Sequence, residues 1–124
     1  MGKETKSILT KYDQYSVFSG SPKECEHHLI FGKFGVWRNL SENFGLKIPL
    51  LNKEHNFSSK GTIYQIHGNP AAEHLSKMLG QVAYEKYYLA QKLAEHEELG
   101  HQSADDWMQE AREDFRRVFG ESFL

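Results

Sequence analysis

The stretch Glu24–Gly32, ECEHHLIFG, places two adjacent histidines, His27 and His28, ahead of a short apolar run that ends at a glycine. An extended chain sends neighbouring side chains to opposite faces, so the pair can be read in two ways. One imidazole faces a metal or substrate while the other meets core or solvent, or a twisted strand end turns both towards one site. The positions of the other histidines favour the second reading. All seven lie at 27, 28, 55, 67, 74, 96 and 101, and the first five fall between Glu24 and the first two turns of a long helical pattern. His96 and His101 sit near a predicted helix end, where an imidazole suits the negative pole.

Working outward, HLIF (His28–Phe31) has strand composition. GKFGVWRNLSENFG carries three glycines and no clean period, which predicts a long loop with one helical turn around Leu40–Asn43. LKIPLL (Leu46–Leu51) is a second short strand, placed at an edge because Pro49 withholds a ladder donor. Asn52–Thr62 opens as a short helix and dissolves into turn residues. Asn69 then caps a long helix with Pro70 in its first position and a stripe of Leu75, Met78, Leu79, Val82, Leu89 and Leu93, running to about Glu98 before Gly100. Ser103 caps a last helix that carries Asp105 and Asp106 in its first turn and a stripe of Trp107, Met108, Ala111, Phe115, Val118 and Phe119. The expected fold is therefore α+β, with two C-terminal helices packed over a two-strand hairpin. The 124 residues form one domain with a lead-in over 1–20, a central finger over 21–68 and a helical part over 69–124. In the lead-in only Tyr15–Phe18 is strand-like.

Composition narrows the function classes. A formal net charge of −2 excludes a generic polycation that coats nucleic acid, although residues 1–68 carry nine Lys/Arg against six Asp/Glu and the rest six against eleven. Cys25 is the single cysteine, which excludes an intrachain disulfide and a Cys-rich zinc knuckle, and fits a reducing cytoplasm. The N-terminus has no apolar signal segment and no window approaches the roughly twenty apolar residues that cross a bilayer, so no membrane role is expected.

A hydrolytic metal centre needs few protein ligands and a base that is not committed to the ion. A hairpin followed by a short helix would return His55 to the mouth of the first strand, beside His27 and His28. This order resembles the HNH, or His-Me finger, nucleases. More closely, CEHHLIFG, RNLSENFGLKIPLLNKEHN, IHGN and AREDFRRVFG resemble small HNH-type proteins of phages and prophages related to RecA-dependent nucleases, over about Ser19–Leu124.

The resemblance implies a ββα-metal finger and a divalent-metal-dependent DNA endonuclease in the bacterial cytoplasm. It implies His28 as the general base, His27, His55 and His67 as metal ligands with His74 as a substitute, and Arg38 as a phosphate contact. Asn56 follows His55 where relatives have a second His, so either residue can face the ion. Mg²⁺ or Mn²⁺ would serve turnover, and three imidazoles favour Zn²⁺ or Ni²⁺ as the bound ion. Relatives often carry further cysteines that hold a structural zinc. With Cys25 alone, no second metal is expected. DNA is the expected partner, with a recombinase or other phage protein, or a second copy in a homodimer, as further candidates. The alternative is a catalytically silent zinc module that binds a protein or DNA partner. Trp37, Tyr84, Tyr87, Tyr88 and the stripe of the last helix read as core or a self-association face.

Overall fold

The structure is a computed structural model that describes residues 5–55, 66–95 and 104–124. It is a mixed α+β arrangement of β1 (Cys25–His28), α1 (Val36–Phe44), β2 (Lys47–Leu50), α2 (Asn52–His55), α3 (Pro70–Glu95) and α4 (Ala104–Phe119). β1 and β2 form an antiparallel pair with Cys25 opposite Leu50, Glu26 opposite Pro49, His27 opposite Ile48 and His28 opposite Lys47. The strand begins three residues earlier than its composition predicts, so the doubled histidine ends β1 instead of opening it. Leu29 N–H still donates to Leu46 O at 2.9 Å, which carries the pairing one step past the histidines.

The segment between the strands is where the sequence reading fails most clearly. In place of a long loop with one helical turn, the structure has the nine-residue α1. Gly35 at φ 88° stands before its first residue, and Gly45 at φ 69° follows its last and donates to Glu42 O and Ser41 O. Two glycines read as breakers are thus helix ends, both in the left-handed conformation that glycine adopts without strain, which at Gly45 closes the C-terminal cap. Trp37 and Ser41 face inward, Leu40 and Phe44 pack at the core's margin, and the Ser41 hydroxyl donates to Ile30 O at 2.6 Å while accepting from Ile30 N–H at 3.2 Å. That double contact supplies a β-like pairing to a residue that has left the ladder.

The lead-in runs along the other edge of β2. Val17 N–H donates to Pro49 O at 3.1 Å, Ser7 Oγ to Lys47 O at 2.5 Å and Ile8 N–H to Gly45 O at 2.9 Å. Only an isolated bridge, Tyr15 with Pro22, forms where a short strand was predicted.

Asn69 caps α3 as expected, its Oδ1 accepting from Ala71 N–H at 3.1 Å and Ala72 N–H at 3.2 Å. Of the stripe at helical spacing, Leu75, Leu79, Val82 and Leu93 are 42–64% exposed. The buried positions are Ser76, Gly80, Gln81 and Tyr84. The reason is a close approach to the chain after β1. A Cβ on Gly80 would lie 2.7 Å from Ile30 Cγ1 and 3.1 Å from Leu29 Cβ, so only small or hydrogen-bonding residues fit there. Leu75 and Leu79 line an apolar groove of about 460 Å³ together with Leu9, Val17 and Phe18. Gly80→Ala is expected to lower stability by about 1 kcal/mol, overpacking against the fully buried Ile30 outweighing the gain in helix propensity. The check is a lower urea midpoint at unchanged denaturant slope.

α4 packs on α3 and buries Trp107, Ala111, Phe115 and Phe119, while Met108 from the predicted stripe is 56% exposed. Tyr84 Oη donates to Asp114, Tyr88 Oη to Glu110, and Arg112 pairs with Glu85 at 2.9 Å, so the two helices share polar clasps around an aromatic centre. The ends predicted near Glu98 and Ser103, and His96 and His101, lie outside the described residues. None of the described helices is long and apolar enough to cross a membrane.

Candidate metal centre

β1 ends with its two imidazoles turned to different neighbours. His27 is fully buried beneath α3, its Nε2 lying 2.7 Å from Ser76 Oγ. The Ser76 hydroxyl has one proton and gives it to Leu29 O at 2.7 Å, so it must accept from His27. That fixes the tautomer: Nε2 carries hydrogen and Nδ1 carries the lone pair. His27 Nδ1 is buried and has no hydrogen-bond partner among the described residues. A buried acceptor left unpaired costs about 1–3 kcal/mol, which calls for an explanation at the site.

His55 closes α2. Glu54, 4% exposed, accepts from Leu51 N–H at 2.8 Å and from the Ser16 hydroxyl at 2.6 Å. It thus both caps this single helical turn and ties it to the lead-in. The chain then returns with Ile66 N–H donating to Glu54 O and His67 N–H to His55 O, each at 3.0 Å. This backbone pairing sets the two side chains together, His55 Nε2 lying 3.1 Å from His67 Nε2. Ring centroids are 5.0 Å apart for His27 and His55, 5.1 Å for His27 and His67, and 4.7 Å for His55 and His67. One ligand atom from each of the three lies within 4.8 Å of the others.

The donor set fits a divalent cation. Zinc–imidazole bonds of about 2.0–2.1 Å at tetrahedral angles put ligand nitrogens about 3.3 Å apart, close to the spacing of the Nε2 pair. With Nε2 committed to Ser76, the lone pair His27 can offer is the unpartnered Nδ1. The outward nitrogens are also provided for: His55 Nδ1 lies 3.7 Å from Cys25 Sγ, and His67 Nδ1 is 3.5 Å from Glu73 Oε2. Such outer contacts orient metal-binding imidazoles and hold their tautomers.

Burial, reinforced by His55, His67 and His28, holds the pKa of His27 down at about 2, and burial with His67 and His28 holds His55 at about 4. Both are neutral at pH 7, as ligands must be. In the unfolded chain they return to about 6.5. The unfolded state therefore binds protons that the folded state refuses. Stability of the metal-free chain should be complete above pH 6.5 and fall as pH drops towards 4 and below, by at most about 1.4 kcal/mol per pH unit for each imidazole. Urea midpoints in EDTA between pH 8 and 5 test this, and a flat profile would contradict it.

His28 lies on the other side of β1, 8% exposed, with Nε2 2.8 Å from Glu42 Oε1. Glu42 Oε2 in turn holds Lys47 Nζ at 2.9 Å, and Lys47, 1% exposed, reaches Glu26 at 3.4 Å. Burial works to raise the Glu42 pKa, but its bonds to His28 and Lys47 prevail and hold it at about 2. His28 does not keep the ordinary imidazole value that an exposed residue would have. Burial lowers its pKa, the Glu42 bond opposes this, and Arg38 and Lys47 add to the lowering. With Nε2–H given to a carboxylate, its lone pair is on Nδ1.

Among the other sequence candidates, Arg38 is exposed on α1 within electrostatic reach of His28. His74 is exposed on α3 and outside the cluster, and Asn56 lies outside the described residues. The sequence reading missed Ser76 and Glu73, although their three-residue spacing on a helix that opens just after His67 puts them on one face. It also missed Phe31, whose ring meets His67 edge-on at 4.5 Å and His27 at 5.5 Å. No protein family, curated protein or solved structure matches the chain.

Proposed function

We propose that the chain is a divalent-metal-dependent endonuclease that hydrolyses phosphodiesters in DNA, with the hairpin and α2 serving as the ββα-metal finger of an HNH-type enzyme. The observation that carries this reading is the gathering of His27, His55 and His67, with one ligand atom from each within 4.8 Å of the others, beside a buried His27 Nδ1 that has no partner among the described residues. These three would hold the ion, and a cation bound there supplies positive charge to a phosphate oxygen and to the leaving oxygen. His28, held neutral at the end of β1 on the face opposite His27, would be the base that takes the proton of the attacking water. Glu42 carries the charge that this leaves on the imidazole. Arg38, on the solvent side of α1, suits a phosphate.

A second reading is favoured by the same Glu42 contact. If His28 is held only as a rung in the Glu26–Lys47–Glu42 network, the finger is a structural zinc site and the chain a silent binding module. Plasmid nicking by the purified chain in Mg²⁺, Mn²⁺ and Zn²⁺ separates the two. Nicking with Mg²⁺ or Mn²⁺ that stops in EDTA is expected for the nuclease, and silence in every metal favours the module.

A further inference from the structure

The loop that follows Phe31 has a feature the site does not use. Lys33 and Phe34 take consecutive left-handed conformations, φ 51° and 56°, between Gly32 at 116° and Gly35 at 88°. A left-handed phenylalanine is rare and unfavourable. No described residue folds over Phe34 to offset that strain, and its side chain is fully exposed. The loop itself is anchored: Gly35 N–H donates to Gly32 O, Val36 N–H to Lys33 O and Trp37 N–H to Gly32 O. The ring is thus held outward on a fixed base.

The flank of the loop carries more cations than anions, with Glu73 beside His67 as the bordering carboxylate. No acidic residue occurs between Glu26 and Glu42. Lys77 Nζ lies 4.9 Å from the Phe31 ring and 5.5 Å from that of Trp37, Lys33 Nζ lies 5.3 Å from Trp37, and Arg38 is exposed on the first turn of α1. Phe31 also touches His67, so the patch is continuous with the histidine cluster. An outward aromatic ring beside three cations matches a polyanion that carries flat apolar faces, which is a nucleic-acid strand. A protein's apolar pocket would answer the ring but leave the cations unused.

We propose that Phe34 stacks on an unstacked base of a nucleic-acid strand whose phosphates lie along Lys33, Arg38 and Lys77, which makes the Gly32–Gly35 loop the strand-holding contact of the site. The proposal rests on the nuclease reading for its direction but is tested apart from it, by binding in EDTA. Fluorescence anisotropy of a labelled sixteen-nucleotide oligothymidylate is compared with that of an abasic strand of equal length, using the full chain.

Wild type should prefer the strand with bases by about tenfold, and Phe34→Ala and Phe34→Gly should lose that preference while keeping the affinity for the abasic strand. Lys33→Ala should weaken both strands alike and reduce the salt slope by about one charge. Phe34→Gly should melt at the wild-type temperature or above, since glycine accepts φ 56° without strain, so a misfolded variant cannot imitate the result. Full oligothymidylate affinity in either Phe34 variant, or no preference for bases in wild type, would overturn the contact. A chain that binds through Phe34 yet nicks nothing in any metal keeps the contact and removes the nuclease. One that nicks but binds without regard to Phe34 removes the contact alone.

Discussion

His28→Ala is expected to keep its metal and lose cleavage by roughly 100- to 10,000-fold, the range that a positioned general base contributes. The expectation follows from the division of labour at the end of β1. The three imidazoles near one another are those of 27, 55 and 67, whereas His28 gives Nε2–H to Glu42 and contributes no atom to the triad. Removing it costs the site a proton acceptor and leaves Glu42 paired with Lys47, so the hairpin should persist. His28→Asn serves as the control, since its amide can still donate to Glu42 without acting as a base. Elemental analysis should find one ion per chain in wild type and both variants, with plasmid nicking present only in wild type. Nicking by His28→Ala within tenfold of wild type would remove this residue from the role of base.

His27→Leu should behave in the opposite way, losing at least about 100-fold in zinc affinity while the metal-free protein stays as stable as wild type or becomes more so. A buried histidine would ordinarily be costly to replace. Here its Nδ1 has no described partner, and Ser76 retains its bond to Leu29 O when the imidazole is gone. Leucine is close in volume and brings no polar atom into a fully enclosed position. Melting curves in EDTA and in excess Zn²⁺ read both quantities together. Wild type should gain stability with zinc in proportion to the logarithm of its concentration, and the variant should show no shift. A large loss of stability in EDTA would instead mean that His27 belongs to the fold, with the open lone pair a by-product of packing.

These two variants bear on how much was legible beforehand. The two strands, the Asn69 cap with Pro70, and the amphipathic last helix are local signals: side-chain period, cap chemistry and backbone restriction act within a few residues of their cause. α1 was missed because Gly35 and Gly45 act as its ends, a role visible only once the Trp37 and Ser41 face is known to be covered. The spacing of the α3 stripe was legible, but which face of the helix is buried was decided by the close approach of Gly80 to Ile30.

The candidate site divides along the same line. The resemblance to HNH-type proteins implied His27, His55 and His67 as a ligand set, and the structure brings these three side chains together. Which nitrogen of His27 is open, that Ser76 and Glu73 stand behind the cluster, and that His28 leans on Glu42 were decided only in three dimensions. Each is a contact between residues far apart in the chain, and hydrogen-bond direction, burial and pKa depend on distances that no local pattern encodes.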